Sequence, residues 1–279
     1  MASFTKKQKM IIEEVKKNYR FMYDPMPEEW KAALPVITID FIEACGLHFT
    51  TNHTGKMSGM ISLSATCKCG SICPARIETA YKSAGCAFGD KTGLKSLLKS
   101  DPYRQDISIC GFCFSDLQQD KFSSMVAPLS KNFEILNNGI INPDWMPVIN
   151  ALYFRGESFG DFASVAAVVN FFNLTRKNTT VKFTAWTKNP GYFLKAVSAG
   201  HKKPRNFKLV LSSQFINKQV EILPAYESII DAVFTVYTPE YAEKNAIAIN
   251  CGARSCLNCL RCYKGFGRCG AKIVNELLK

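Results

Sequence analysis

Residues 151–186 read ALYFRGESFGDFASVAAVVNFFNLTRKNTTVKFTAW, and their periodicity sets the fold class. Ala151-Leu152-Tyr153-Phe154 is a short apolar run of the kind a buried strand needs, and the polar turn Arg155-Gly156-Glu157-Ser158-Phe159-Gly160-Asp161 ends it. Val165, Val168, Val169 and Phe172 then recur at helical spacing, which predicts a helix over 162–174 with these residues on its inner face. Val181-Lys182-Phe183-Thr184-Ala185-Trp186 reads as the next strand. Strand, helix and strand in succession imply a parallel βαβ unit with a right-handed crossover.

The pattern continues outward. Asn189-Pro190 opens a second helix that ends near Gly200, and strands follow over 207–211, 231–237 and 246–249. These units are too few for a closed eight-fold barrel, so the prediction is an α/β fold, a partial (β/α) barrel with parallel strands. Function in such a fold sits at the C-terminal ends of the strands. Those ends carry Arg155 to Asp161, Thr187-Lys188, Ser212-Ser213-Gln214, Thr238 and Cys251, and Asp161 itself reads as a helix N-cap. Upstream, a helix over 6–22 is predicted from Ile11, Val15, Tyr19 and Met22 on one stripe, with Thr5 and Gln8 as a capping box and Asp24-Pro25-Met26-Pro27 as its break. Four segments result: a helical 1–44, an irregular Cys-rich 45–115, a β/α core over 116–250 and a Cys-rich metal-binding tail over 251–279.

Composition agrees with a globular chain. Hydrophobic residues make up 47% of the 279 and charged residues 21%, which excludes a disordered or collagen-like polymer. The apolar stretch 162–174 is interrupted by Ser164, Asn170 and Asn173 and is too short to span a bilayer. No apolar run follows the N-terminal lysines, so neither a signal peptide nor a membrane partner is expected, and the expected location is cytoplasmic. In that setting twelve cysteines argue for metal rather than disulfides.

Charge is unevenly spread. The formal net charge is +12, and between Phe162 and Val220 there is no acidic residue, while Lys202, Lys203 and Arg205 form the densest of several basic groups. That asymmetry favours a polyanionic partner, nucleic acid or a phosphorylated substrate, through counterion release. The plain alternative is a solvated face.

The cysteines are the strongest chemical signal. Cys251-x4-Cys256-x2-Cys259-x2-Cys262, with Cys269 beyond, can wrap one compact polynuclear centre. Its first three cysteines match the plant-type ferredoxin pattern and its last three resemble the bacterial run. An iron–sulfur cluster is the leading reading, 4Fe-4S ahead of 2Fe-2S, with zinc as the alternative. Cys67, Cys69, Cys73 and Cys86 form a second candidate set in a region of weak periodicity, where metal can replace a core. Cys110 and Cys113 lie in the apolar run 107–114 and read as buried residues, as does Cys45. His48 and His53 lie near the first set, but isolated histidines are more often simply hydrogen-bonded.

Two resemblances attach to these residues. Thr51-Asn52-His53-Thr54-Gly55, Thr66-Cys67-x5-Cys73-Pro74, Gly85-Cys86, Gly160-Asp161-Phe162 and Thr184-Ala185-Trp186-Thr187-Lys188 resemble motifs of the phage gene product eighty-eight family, and Cys251-Gly252-Ala253 with the cysteines after it is similar to the tail of related phage proteins. This likeness spans residues 50–270 and implies a phage-encoded protein of the host cytoplasm, with no activity attached. A more distant likeness is to radical S-adenosylmethionine enzymes, partial β/α barrels with a Cys-x3-Cys-x2-Cys motif. Cys69-x3-Cys73 supplies two of those cysteines, Arg76 stands at the third position, and Cys86 is the candidate replacement. Arg155-Gly156-Glu157 resembles the turn that holds the methionine amino group, which makes Gly156, Glu157 and Asp161 the candidate cofactor-binding residues and S-adenosylmethionine the candidate ligand. Two functions stay open: an iron–sulfur enzyme acting on nucleic acid or a nucleotide, and a non-catalytic basic binding module with a structural cluster or zinc.

Overall fold

The computed structural model describes residues 46–53, 55–65, 91–252, 254–263 and 272–278. The helix expected over 6–22, together with Cys45, Cys67, Cys69, Cys73, Cys86 and Cys269, lies outside these residues.

Seven strands form one sheet in chain order: β1 (Phe49–Thr51), β2 (Ile61–Leu63), β3 (Tyr153–Gly156), β4 (Lys182–Thr187), β5 (Phe207–Ser212), β6 (Ala232–Tyr237) and β7 (Lys272–Leu277). β1 pairs antiparallel with β2, and every later neighbour is parallel. Helices α1 (Lys91–Ser100), α2 (Phe114–Lys121) and α3 (Val126–Asn137) occupy the long connection from β2 to β3. α4 (Val165–Lys177) joins β3 to β4 and α5 (Pro190–Ser198) joins β4 to β5. α6 (Pro239–Lys244) and the single turn α7 (Cys256–Cys259) lie between β6 and β7. The architecture is therefore a mixed α/β fold with a mostly parallel sheet, and the sheet draws strands from three of the four segments read from the sequence.

Strand alternation gives the sheet two unlike faces. Phe154, Phe183, Ala185, Phe207, Leu209 and Val233 point to the helix side, where they meet Phe171 and Phe172 of α4 and Phe193 of α5. Each fully buried phenylalanine contributes about 1.5–3 kcal/mol there. Gly156 belongs to the same face, where a Cβ would come within 2.4 Å of the Phe171 ring, so α4 can lie this close to β3 only over glycine. The asparagines that interrupt the apolar stretch are buried and bonded: Asn170 accepts from Ile141 N and donates to the carbonyls of Leu136 and Gly139, and Asn173 donates to Ile141 O. They tie the chain after α3 to α4.

Several sequence expectations need correction. The helix after β3 starts at Val165, and its N-cap is Ser164, whose hydroxyl accepts from Ala167 N; Asp161 does not cap it. The carboxylate of Asp161 instead accepts from Thr187 Oγ1, Lys188 N and Phe162 N. Residues 246–249 form no strand. The Asn250 side chain accepts from Asn275 N and donates to Ile273 O, Asn275 donates to Ala248 O, and the Asn250 and Cys251 N–H groups both donate to Asn275 O, so 248–251 covers the outer edge of β7 through mixed side-chain and backbone bonds rather than a regular ladder. β7 itself lies in what reads as a metal-binding tail, and the region 45–115, expected to be irregular, contains β1, β2 and α1.

Candidate functional site

Two polar sites lie on or beside the sheet. The first is at the C-terminal mouth, where β2 and β3 end together. Glu157 follows β3 with a left-handed φ of 47°, a conformation that non-glycine residues rarely adopt and that concentrates at functional sites. Its N–H donates to Leu63 O at 2.9 Å, and its Oε2 accepts from Ala65 N at 3.1 Å. Ser64 Oγ accepts from the backbone of Ser158 and Phe159, and the Ser158 hydroxyl reaches Ser62 Oγ at 3.0 Å. The turn after β3 is thus clamped onto the chain leaving β2, two residues before Cys67. Burial pushes the Glu157 carboxyl up to about 8, only partly opposed by the Ala65 bond and reinforced by the nearby charge of Asp161. Burial also raises Asp161, against the bonds from Lys188 N and Thr187.

The second site is the sheet's other face. Arg155 points there, opposite Phe154, and its guanidinium lies 3.7 Å from the Trp186 ring centre; Trp186 stacks in turn on Phe234 at 4.6 Å. Val210, Ala232 and Val274 complete a small apolar cluster against which Cys251 packs. Arg155 is buried, and Arg155 Nε, Thr184 Oγ1 and Trp186 Nε1 are buried without hydrogen-bond partners.

The Cys-rich tail lies against this face and touches both outer parts of the sheet. Tyr263 donates to the Met60 sulfur before β2 and packs edge-on against Tyr153 of β3, and Lys272 of β7 donates to Arg261 O. Lys56, in the turn between β1 and β2, ion-pairs with Glu276 of β7 and donates to Cys251 O. Cys110, Cys113, Cys251, Cys256, Cys259 and Cys262 are all free thiols. Burial pushes Cys251 up to about 11, with the Glu276 charge adding and Lys56 opposing. Burial raises Cys256 and Cys262 as well, and the Arg155 charge opposes it in both. Among the described residues, no three Cys, His, Asp or Glu side chains are grouped as a single metal ion requires.

The sequence-derived candidates divide accordingly. Glu157 and Asp161 are neighbours at the mouth, whereas Gly156 serves helix packing. Arg155 does not pair with Glu157; the two lie in separate environments. Lys202 and Arg205 are exposed, but Lys203 ion-pairs with Asp231 at 2.5 Å and donates to Ile229 O, so it tethers the chain before β5 to the start of β6. Cys110 is buried, as read from its apolar run. His48 and His53 are exposed, and the His48 backbone is bonded to Asn132. Thr187 and Thr238 are held in bonds to Asp161 and Pro102 O, and Thr238 caps α6. Sequence reasoning missed Arg155 as an inner-face cation, together with Trp186, Tyr263 and Lys56. The available signal was strand alternation, which puts Arg155, Thr184 and Trp186 on the face opposite Phe154 and Phe183.

These features define a mixed α/β protein whose mostly parallel sheet carries a buried acid at its C-terminal mouth and a buried arginine beneath a cysteine tail. No described helix is long and apolar enough to cross a membrane. The chain belongs to the Gene product 88 family, whose model matches residues 43–274. No curated protein and no solved structure matches it.

Proposed function

We propose that the protein is an iron–sulfur enzyme of the radical S-adenosylmethionine type, built on a partial β/α barrel and acting on a nucleotide or nucleic acid in the cytoplasm. One observation carries the reading: the parallel pairing of β2 with β3 binds Glu157 to Ala65, at the root of the segment with Cys67, Cys69, Cys73 and Cys86. A buried carboxyl beside a thiol-rich segment suits the pairing of a ligand ammonium next to a cysteine-ligated cluster. When bound, a three-cysteine cluster leaves one iron open and supplies one-electron chemistry. This chain's residues do the rest. Glu157 pairs the ammonium, Ser62, Ser64 and Ser158 fix the turn that carries it, and Asp161 locks the ends of β3 and β4 through Thr187 and Lys188. Strands in chain order, with Lys56 of the first turn meeting Glu276 of the last strand, support a curved, barrel-like sheet. Exposed Lys202 and Arg205 supply the charges that meet a polyanion.

A non-catalytic module with a structural centre is favoured by Arg76 at the third motif position. Calorimetry on the anaerobically reconstituted protein separates the two. The enzyme reading expects S-adenosylmethionine to bind, and Glu157→Gln to weaken it at least tenfold with iron content unchanged and the fold retained. That factor corresponds to the loss of about 1.5–3 kcal/mol from a charge-assisted hydrogen bond. A parent protein that holds iron and sulfide but does not bind this ligand overturns the enzyme reading and leaves the structural module.

A further inference from the structure

Arg155 is 9% exposed and lies on the face of the sheet turned away from α4 and α5. A guanidinium keeps its proton at any working pH, so burial does not neutralise it as it neutralises a carboxyl. Buried charges are normally paired, yet among the described residues no carboxylate pairs with this one. The acids of the neighbourhood are committed elsewhere: Glu157 to Ala65 N, Asp161 to Thr187 and Lys188 N, Asp231 to Lys203 and Lys208, and Glu276 to Lys56. Stacking on Trp186 occupies the flat side of the guanidinium and leaves its N–H edge, where Nε is buried without a partner.

Two more donors share that face. Thr184 of β4 stands directly opposite Arg155 in the parallel register, and Trp186 lies two positions further, about 7 Å along the strand. Thr184 Oγ1 and Trp186 Nε1 are buried and unpaired, as Arg155 Nε is. The other two buried atoms without partners, on Thr235 and Asn275, belong to register neighbours on the opposite side of the sheet, with Val233. Water satisfies a hydroxyl or an indole N–H but leaves a guanidinium charge unbalanced. Three donors on adjacent strands, one of them permanently charged, call for a common anionic acceptor. Arg155 and Trp186 are each one residue from the C-terminal end of their strand, where open parallel sheets bind ligands.

We propose that Arg155, Thr184 and Trp186 bind a phosphoryl group on this face of the sheet, the group by which a nucleotide substrate is anchored. Its three terminal oxygens suit the three donors: the guanidinium offers a planar fork, and the hydroxyl and the indole N–H one bond each. Trp186 holds the guanidinium plane and is itself backed by Phe234, so the fork is oriented before the ligand arrives. The phosphoryl group follows from this site alone; that it belongs to a nucleotide rests on the function proposed above.

Calorimetry on the full chain at constant ionic strength tests this, with inorganic phosphate, adenosine monophosphate, adenosine and acetate as probes. Phosphate and the monophosphate should bind, and adenosine and acetate should not. Tighter binding of the monophosphate supports a nucleotide; equal binding of the two overturns that assignment and keeps the phosphoryl site. Arg155→Gln should weaken phosphate binding about tenfold or more, and Arg155→Lys, which keeps the charge but loses the fork, should recover only part of it. Thr184→Val removes a buried hydroxyl that has no partner in the protein, so the ligand-free melting midpoint should stay or rise while phosphate binding weakens. A merely structural role for Thr184 would lower both. Should Arg155→Gln fail to fold, Arg155→Lys and Thr184→Val carry the test. No phosphate binding by the parent, acetate bound in its place, or phosphate affinity unchanged in both Arg155→Lys and Thr184→Val overturns the proposal. Phosphate is titrated without S-adenosylmethionine, so a parent that binds phosphate but not that ligand defeats only the mouth reading, and the converse defeats only this one.

Discussion

Gly156 and Glu157 are neighbours in sequence with opposite tasks. Gly156 faces α4, and Gly156→Ala drives a methyl into the Phe171 ring, so stability should fall by about 1–3 kcal/mol in denaturant melts. An unchanged midpoint would mean that Phe171 moves aside without penalty. Glu157 leaves a pH signature. An unfolded carboxyl ionises near 4.5, whereas the buried one holds its proton up to about 8, so across that window the folded state carries a proton the unfolded state has lost. Stability should therefore fall as pH rises from 4.5 to about 8 and level off above it, each unit of separation being worth about 1.4 kcal/mol. Glu157→Gln cannot ionise and should flatten this fall. The same residue makes ligand binding pH-dependent in the opposite sense. Only the carboxylate pairs with an ammonium, so S-adenosylmethionine affinity should rise toward pH 8, and affinity flat across the window would exclude Glu157 as its partner.

Among the elements, β7 depends on its neighbours for cover. A free strand edge invites pairing with another chain, and here Asn250 blocks it by bonding Asn275 N and Ile273 O. Asn250→Ala should cost about 1–3 kcal/mol and raise self-association, read together by melting and light scattering; a variant equally stable and monomeric would show that the edge is guarded otherwise. This cover also explains what the sequence concealed. The unit from β3 to β4 was legible because its apolar periods switch cleanly from strand to helix and back. Lys272-Ile273-Val274-Asn275-Glu276-Leu277 has no clean alternation, since inner-face Lys272 and Glu276 serve the tail and Lys56, so β7 was hidden behind the cysteines. Residues 246–249 resemble a strand because they are apolar, yet the Asn250 and Asn275 side chains take part of the bonding and the backbone bonds from Asn250 and Cys251 converge on the single carbonyl of Asn275, so no ladder forms. At the mouth, Glu157 was legible from its position after a strand. Arg155 was not, because its missing partner is a tertiary fact made by Trp186 and Phe234 from strands distant in sequence.

At the scale of the whole molecule, the +12 charge does not act as one uniform patch. The acid-free run 162–220 is acid-free only along the chain, for in space Asp231 sits under it and holds Lys203, Lys208 and Leu209 N. Lys203 therefore belongs to folding and Lys202 and Arg205 to the surface, and charge reversal should separate them. Lys203→Glu sets a carboxylate against Asp231 in a half-buried place and should lower the melting midpoint, with any weakening of nucleic-acid binding following from unfolding. Reversing Lys202 and Arg205 together should leave melting almost unchanged, since exposed charges are worth about 0–1 kcal/mol to stability. The same pair should weaken duplex binding at low salt and reduce the slope of log affinity against log salt by about 0.9 for every phosphate no longer neutralised. Melting curves and salt-titrated anisotropy on the two variants decide the matter. If the pair binds as the parent does at every salt concentration, Lys202 and Arg205 only solvate that face, and the polyanion must be sought around the other lysines of the run or not at all.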